Sequence, residues 1–210
     1  MSDGASSGVA AFDFDGTISQ RDTLLGFLLH VGGPLRVAAA LGAESPGLLR
    51  GVRGDDDERD AAKERVLGRV LRGRHIDELH DAGRSYAQRL PKGFRDATLE
   101  RVRWHRGSRH SLVMVSASMV YYLRPVADGL GFDHVIGVEM DADATGHVTG
   151  ELVGRNVRAA EKERRLRSWL AERDLTGAEL WAYGDSSGDD HLLAMADHPT
   201  WIGKRASRNA

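Results

Sequence analysis

Carboxylate, hydroxyl and ammonium side chains stand at four places along this 210-residue chain where they could take part in catalysis. These places are Asp13 with Asp15, Ser116, Lys162, and Asp185 with Asp189. An ionised aspartate needs no base to act as a nucleophile at neutral pH, but an anionic substrate would repel it unless a cation lay between them. Mg²⁺ would suit this position because it prefers oxygen ligands and takes one or two carboxylates from a protein. The residue types therefore allow metal-assisted attack by an aspartate on an anionic substrate.

Buried strands are the elements that would bring these residues together. Residues 9–14, 111–115 and 180–183 are short, continuous apolar runs, as in the central strands of a parallel sheet. Further core elements are predicted as helices near residues 96–106 and 160–173, a strand at 134–140, a hairpin through Thr145-Gly146 and a short strand near Trp201. Ligands bind at the carboxyl ends of parallel strands, where the polar groups stand. The alternation of strands and helices predicts an α/β fold with a doubly wound, Rossmann-like parallel sheet.

The segment from residue 20 to 92 has a different pattern, because apolar residues recur there at helical spacing and strand signals are absent. Breaks are predicted at residues 32–34, 45–47 and 51–57, which leave three or four helices. We expect residues 20–92 to form a helical cap over the carboxyl ends of the strands. The α/β core would then comprise residues 1–19 and 93–210.

Four sequence motifs stand in the order known from one enzyme family. The sequence FDFDGT at residues 12–17 resembles the DxDxT signature of haloacid dehalogenase (HAD) type phosphatases, and GDSSGD at residues 184–189 resembles their GDxxxD signature. Ser116 looks like the strand-end serine of this family, and Lys162 looks like its lysine. An insert between the first and second motifs is similar to the phosphoserine-phosphatase-like branch, subfamily IB. The resemblance covers nearly the whole chain and implies a phosphatase with an α/β core and a helical cap.

The predicted roles divide the four aspartates into reacting groups and metal ligands. Asp13 is the predicted nucleophile and would form an aspartyl-phosphate intermediate. Asp15 would protonate the leaving oxygen and then deprotonate the water that cleaves the acyl phosphate. Asp13, Asp185 and the main-chain carbonyl of Asp15 are the predicted Mg²⁺ ligands, and Asp189 would orient a water of the metal site.

The phosphoryl oxygens of the substrate need hydrogen-bond donors and a positive charge to hold them. The Ser116 hydroxyl and neighbouring backbone N–H groups, including that of Ala117, are predicted to hold them, and Ser118 is an alternative to Ser116. Lys162 would offset the charge of both phosphate and nucleophile. Thr17 is grouped with the substrate-binding residues as a support, because its hydrogen bonds would fix the loop after the first strand.

Substrate recognition is assigned to the cap. In phosphoserine phosphatases an acidic residue shortly after DxDxT and a cap arginine recognise the amino acid, and Asp22 and Arg65 lie near those places. The family pattern has Glu where this chain has Asp22, and the usual glycine pair does not follow Ser116. Phosphoserine and another small phosphomonoester are therefore both retained as substrates.

Two other functions use the same fold and stay open as alternatives. A non-catalytic phosphometabolite sensor would keep the binding site and lose turnover, and loss of Asp13 or Asp15 would support it. Both aspartates are present. A phosphotransferase would pass the phosphoryl group to an acceptor other than water after the same first half-reaction.

Composition narrows the classes of partner. The 29 Lys and Arg residues against 31 Asp and Glu residues give a net charge of -2, which provides no global reason to expect nucleic acid. The chain has no cysteine, so disulfides and thiol nucleophiles are excluded. Residues 1–8 are expected to be a short disordered leader, and no apolar run is expected to reach the roughly 20 residues that cross a bilayer. A cytoplasmic protein with no membrane partner is predicted, and a homodimer is left open.

Overall fold

The centre of the molecule is a five-stranded parallel sheet, seen in a computed structural model that describes residues 8–52 and 56–203. The described residues contain seven strands, five of which form this sheet. They are β1 (Val9–Phe12), β2 (Ser111–Met119), β3 (His134–Val138), β4 (Met140–Ala142), β5 (Val148–Leu152), β6 (Leu180–Gly184) and β7 (His198–Trp201). The order in the sheet is β3-β2-β1-β6-β7, and every neighbouring pair is parallel. Strands β4 and β5 form the predicted hairpin apart from this sheet. The strand order confirms the predicted α/β core.

Helices flank the sheet and fill the predicted insert. They are α1 (Leu24–Val52), α2 (Asp56–Leu71), α3 (Ile76–Ala87), α4 (Asp96–Gly107), α5 (Val120–Leu130), α6 (Ala160–Glu172) and α7 (Asp190–Ala194). Two short 3₁₀ turns cover Leu90–Gly93 and Ser187–Asp189. Helices α1 to α3 occupy the segment predicted as a cap. The leader predicted for residues 1–8 lies, apart from Gly8, outside the described residues.

Strand β1 is the point at which the strand order reverses. All four of its residues are buried, as expected for a central strand with both faces covered. The chain continues from β1 to β2 and β3 on one side and later to β6 and β7 on the other. The Asp13 N–H donates to the Tyr183 carbonyl oxygen at 2.9 Å, so the ladder extends one residue beyond β1. This geometry holds Asp13 at the carboxyl edge of the sheet, between its two neighbouring strands.

Strand β2 is longer than predicted. It was expected to end at Ser116, but it continues to Met119, with a register irregularity between Val115 and Met119 where it pairs with β3. Such a bulge bends a strand and redirects its side chains. The extension carries Ser118 toward the site and leads directly into α5.

Helix α1 shows one of the predicted breaks and lacks another. Gly33 has φ 73° and ψ 164°, so the helix is interrupted within the predicted break at residues 32–34. The break predicted at residues 45–47 is wrong, because α1 continues through Pro46. Proline cannot donate to the carbonyl four residues earlier, but the Ser45 hydroxyl donates to that oxygen, on Gly42, at 2.9 Å. In the third predicted break, Val52 still belongs to α1 and Asp56 already belongs to α2, and the residues between them lie outside the described part.

The first part of α1 contradicts the prediction that no apolar segment is long enough to cross a bilayer. The 24-residue segment Leu24–Gly47 is long and apolar enough to cross a membrane by length and composition, with a hydropathy of 1.6. Buried core helices of soluble proteins and signal sequences meet the same criterion, and 22% of the most apolar window is buried here. Leu28, Val37 and Ala40 of this segment are buried, and α1 packs against α2. The segment therefore contributes to the core, and its hydropathy alone does not assign it to a membrane.

The insert contacts the core through α3 and through hairpin β4–β5. Helix α3 packs on α5, and a side chain at Gly83 would collide with the backbone of Tyr121. The hairpin binds the end of the insert, since the Gly73 N–H donates to the Val148 carbonyl at 2.9 Å. The exact division of the chain into core and cap stays a prediction.

Candidate active site

A cleft of about 480 Å³ lies between the carboxyl edge of the sheet and the insert. Four motifs that are distant in the sequence all contribute to its lining. The predicted residues that line it are Asp13, Asp15, Asp22, Ser116, Ala117, Lys162, Asp185 and Asp189. Two of the predicted site residues, Thr17 and Arg65, do not line it.

Asp13 and Lys162 form a buried ion pair at the floor of the cleft. Their side chains are 7% and 3% exposed, and Lys162 Nζ lies 2.6 Å from Asp13 Oδ1. Burial raises the pKa of Asp13, Lys162 opposes this, and Asp189 adds to the rise. Burial alone would lower the pKa of Lys162, but Asp13 and Asp189 together raise it. Lys162 is therefore a charged partner of Asp13 rather than a solvated residue on the surface of α6.

Asp189 holds both Lys162 and the loop after β6. Its Oδ1 accepts from Lys162 Nζ at 2.6 Å. Its Oδ2 accepts from the backbone N–H groups of Asp185 and Ser186, both at 3.1 Å, and from the Ser186 hydroxyl at 3.2 Å. Because Asp189 bonds both Lys162 and the loop after β6, it is placed to position the residues around it.

The site has the donor set and the charge that a divalent cation requires. Asp13, Asp185 and Asp189 each offer a carboxylate oxygen, and these atoms lie within 4.8 Å of one another. Lys162 is paired with two of these carboxylates, those of Asp13 and Asp189. Burial raises the pKa of Asp185, and Asp189 raises it further, as expected for a carboxylate without enough positive charge nearby. The donor set fits a divalent cation such as Mg²⁺, for which Asp13 and Asp185 would be the carboxylate ligands.

Gly16 keeps Asp185 close to the first motif. It has φ +83°, and a side chain at this position would collide with the Asp185 carboxylate. Glycine adopts this backbone conformation without the strain that other residues carry. The conformation of Gly16 therefore allows the loop after β1 and the loop after β6 to approach each other.

Asp15 has its own hydrogen-bond partners, separate from those of Asp13. Its Oδ1 accepts from the Thr23 backbone N–H at 2.8 Å and from the Thr23 hydroxyl at 2.7 Å. Its Oδ2 accepts from the Ser118 hydroxyl. Burial raises the pKa of Asp15, while the hydrogen bonds from Ser118 and Thr23 lower it to a smaller extent. A carboxyl group with a raised pKa is suited to donate a proton near neutral pH.

The two serines of β2 have different partners, which separates their roles. Ser116 lines the cleft, and its Oγ accepts from the Ser118 N–H at 3.1 Å. Ser118 uses its hydroxyl on Asp15 instead. The arrangement favours Ser116, with the neighbouring Ala117, as the phosphate-binding serine and Ser118 as a support of Asp15.

Thr17 does not have the position expected of it. It is fully buried, and its hydroxyl has no hydrogen-bond partner among the described residues. Only its carbonyl is engaged on a side chain, that of Thr98, at 2.8 Å. Thr17 therefore lies in the interior next to α4. The predictions that it belongs to the substrate-binding residues and that its hydroxyl fixes the loop are both wrong.

Arg65 faces away from the cleft, and Lys63 takes the place expected for a cap cation. Arg65 Nε donates to buried Glu44 at 2.5 Å, and its Nη2 donates to Glu58 at 3.1 Å. Lys63 Nζ donates to the Ala117 carbonyl at 2.6 Å and to Asn156 Oδ1 at 2.9 Å. Two residues correspond to about 200° around an α-helix, so Lys63 and Arg65 lie on nearly opposite faces of α2.

Asp22 lies at the rim of the cleft, two residues before α1 begins. Its Oδ1 accepts from the Leu24 N–H at 3.0 Å and so caps an N–H group of the first helical turn. The side chain is exposed. Asp22 thus lines the cleft as predicted, while one of its oxygens serves the helix.

Sequence reasoning missed Thr23, which holds Asp15, and several residues that line the cleft, among them Asp60, Lys63 and Asn156. Asn156 is buried and links the insert to the core, because it accepts from Lys63 and its Nδ2 donates to Asp60 Oδ1 at 2.8 Å. A signal for Lys63 was available. It stands four and seven residues before the buried Leu67 and Val70, so it continues the apolar stripe of α2, where a lysine requires a partner.

Known proteins resemble this chain both in sequence and in fold. A family profile described as haloacid dehalogenase-like hydrolase matches residues 10–194. Protein CicA of Caulobacter vibrioides is 34% identical over 90% of this chain and 83% of its own length. A phosphoserine phosphatase of Archaeoglobus fulgidus is 26% identical over 88% of this chain and 49% of its own length. The crystal structure of a protein of unknown function from Bordetella pertussis has the same fold, with a TM-score of 0.80, 24% identity and coverage of 98% and 95% of the two chains.

Proposed function

This chain belongs to the haloacid dehalogenase-like hydrolase family, and from that premise we propose that it is a Mg²⁺-dependent phosphatase that cleaves a small phosphomonoester through an aspartyl-phosphate. The observation that carries the proposal is the separation of two aspartates at the end of β1. Asp13 is paired with Lys162, whereas Asp15 is held by Thr23 and Ser118. One carboxylate is therefore available as nucleophile and the other as acid and base.

In the first half-reaction Asp13 attacks the phosphorus atom. Lys162 occupies Oδ1 of Asp13, so Oδ2 is the oxygen that forms the new bond. The bond between phosphorus and the ester oxygen breaks, and this oxygen takes the proton of Asp15 as the alcohol departs. The products are the free alcohol, the phosphoryl group on Asp13, and ionised Asp15.

In the second half-reaction water attacks the same phosphorus atom. Asp15 takes a proton from the water as the oxygen–phosphorus bond forms, and the bond to Asp13 breaks. Inorganic phosphate leaves, and both aspartates return to their starting forms. Both half-reactions use the position of Asp15 on the side of the cleft next to the insert.

The phosphoryl oxygens are neutralised by groups that are already in place. The Ser116 hydroxyl and the backbone N–H groups around Ala117 would donate to them, and the ammonium of Lys162 offsets their charge. Mg²⁺, held by Asp13 and Asp185 with the Asp15 carbonyl, would supply further neutralisation of the phosphate and the nucleophile. Retention of both Asp13 and Asp15 favours turnover over a sensor that only binds.

The test is phosphate release from a panel of small phosphomonoesters, including phosphoserine, with and without Mg²⁺. We expect release that requires Mg²⁺ and is abolished in Asp13→Asn, which keeps the shape of the side chain and removes its nucleophilic charge. Asp174→Asn is the matched control, since Asp174 is exposed and does not line the cleft. Tight binding of a phosphate ester without release from any of them would support the sensor instead.

A further inference from the structure

An apolar groove opens from the wall of the active-site cleft. Its volume is about 380 Å³, within the range of pockets that hold small ligands. It shares Asp22, Leu24 and Lys63 with the cleft. The rest of its lining is apolar and comes from α1 and α2: Leu25, Leu28, Leu41, Val66 and Leu67. The two cavities are therefore neighbours that share part of their walls, one with a polar lining and the other with a largely apolar one.

The groove begins where the leaving group of the proposed reaction would lie. Asp15 protonates the leaving oxygen, and its Oδ1 accepts two hydrogen bonds from Thr23. Leu24, the next residue along the chain, lines both the cleft and the groove. Atoms attached to the leaving oxygen are thus directed past Leu24 toward the apolar lining.

The charged groups of the groove are engaged elsewhere. Lys63 directs its ammonium to Ala117 and Asn156, and Asp22 uses one oxygen to cap α1. Arg65, the cation expected to bind the carboxylate of an amino acid, is paired with Glu44 on another face of α2. Of the two charged residues that line the groove, Lys63 has its ammonium engaged and Asp22 has one oxygen engaged, so the groove offers mainly apolar surface.

We infer that the substrate is a phosphomonoester with an apolar alkyl or aryl leaving group, which lies in the groove between α1 and α2. This inference rests on the proposed phosphatase function and names its substrate class. Burial of apolar surface would favour such an ester over phosphoserine, whose charged groups would lose water without gaining partners in the groove.

The experiment compares ethyl, butyl, hexyl and octyl phosphate with phosphoserine and p-nitrophenyl phosphate, each below the concentration at which it aggregates. We expect kcat/KM of the full chain to rise about fourfold per methylene until the groove is filled, the ratio that corresponds to roughly 0.8 kcal/mol. Phosphoserine should be a poorer substrate than hexyl phosphate.

A pair of exposed leucines on the same helix provides a matched control. Leu25 is 47% exposed and lines the groove, whereas Leu29 is 41% exposed and does not. Leu25→Asn should reduce the ratio of kcat/KM for hexyl phosphate over ethyl phosphate several-fold. Leu29→Asn should leave this ratio as it is in the native protein.

The outcomes separate the inference from the proposed function. Phosphate release at a rate that does not change with chain length, or that is highest for phosphoserine, would overturn the inference and leave the phosphatase function in place. Equal loss of the ratio in Leu25→Asn and Leu29→Asn would overturn the assignment to this groove. No release from any ester, p-nitrophenyl phosphate included, would overturn the proposed function and the inference with it.

Discussion

Lys63 of α2 donates a hydrogen bond of 2.6 Å to the main-chain carbonyl of Ala117, at the end of β2 that lines the cleft. Burial lowers the pKa of Lys63 to about 8, although Asp60 opposes this. Lys63→Met would leave the Ala117 carbonyl and Asn156 without this donor. We expect the free energy of unfolding to fall by about 1–3 kcal/mol, measured by urea denaturation. Lys92→Met, at an exposed lysine, is the control, and an equal loss in both variants would contradict the assignment.

Replacement of Asp15 by a residue that cannot act as acid or base should affect the two half-reactions differently. Asp15→Asn cannot protonate the leaving oxygen or activate water, and loss of general acid–base catalysis typically costs 10²–10⁴-fold. p-Nitrophenolate needs no proton to leave, so the first step should survive with this ester. We expect a burst of about one p-nitrophenolate per enzyme, followed by very slow turnover. Steady release without a burst would argue against an acyl phosphate that depends on Asp15 for its hydrolysis.

Gly16 should be required for binding of the cation. In Gly16→Ala the new methyl group meets the Asp185 carboxylate, and the φ of +83° is strained for alanine. Gly73→Ala is a matched control, because Gly73 has φ +78° with nothing near its Cβ position. Both variants should lose stability, but only Gly16→Ala should weaken Mg²⁺ binding, measured by calorimetry. Equal Mg²⁺ affinity in the two variants would show that Asp185 does not hold the ion.

His105 should make the stability of the protein depend on pH. It is fully buried and bonded to Tyr183 Oη at 2.9 Å, and burial lowers its pKa to about 4 from about 6.5. Because the folded pKa is the lower one, the unfolded chain binds more protons between these pH values, and stability falls as the pH drops through that window. The loss should approach roughly 3 kcal/mol.

The measurement is urea denaturation of the native protein and His105→Phe at several pH values. The native protein should lose more stability than the variant between about pH 6.5 and pH 4, where His105 titrates. His80→Gln, at a half-buried histidine of α3, should behave like the native protein. Parallel pH profiles for the native protein and His105→Phe would refute the prediction.

The sequence by itself determined the sheet and the catalytic motifs. The apolar runs before Asp13, Ser116 and Asp185 are continuous because central parallel strands are buried on both faces. Their carboxyl ends meet at one edge of the sheet, so the order of the motifs was sufficient to predict that these residues lie together. Lys162 was predicted from its place among the motifs, although its helix is otherwise rich in charge.

Only the tertiary structure decided which cap residues face the site. Arg65 and Lys63 stand two residues apart on α2, and the choice between them depends on how the helix is rotated against β2, some fifty residues later in the chain. The roles of Thr17 and Ser118 were also decided by distant geometry. Thr17 lies after the turn at Gly16 and its hydroxyl has no partner among the described residues, whereas Ser118 lies in the irregular part of β2 and donates to Asp15. Local patterns specify which elements form and where they end. The rotation and approach of distant elements follow from packing of the whole core, which no local pattern records.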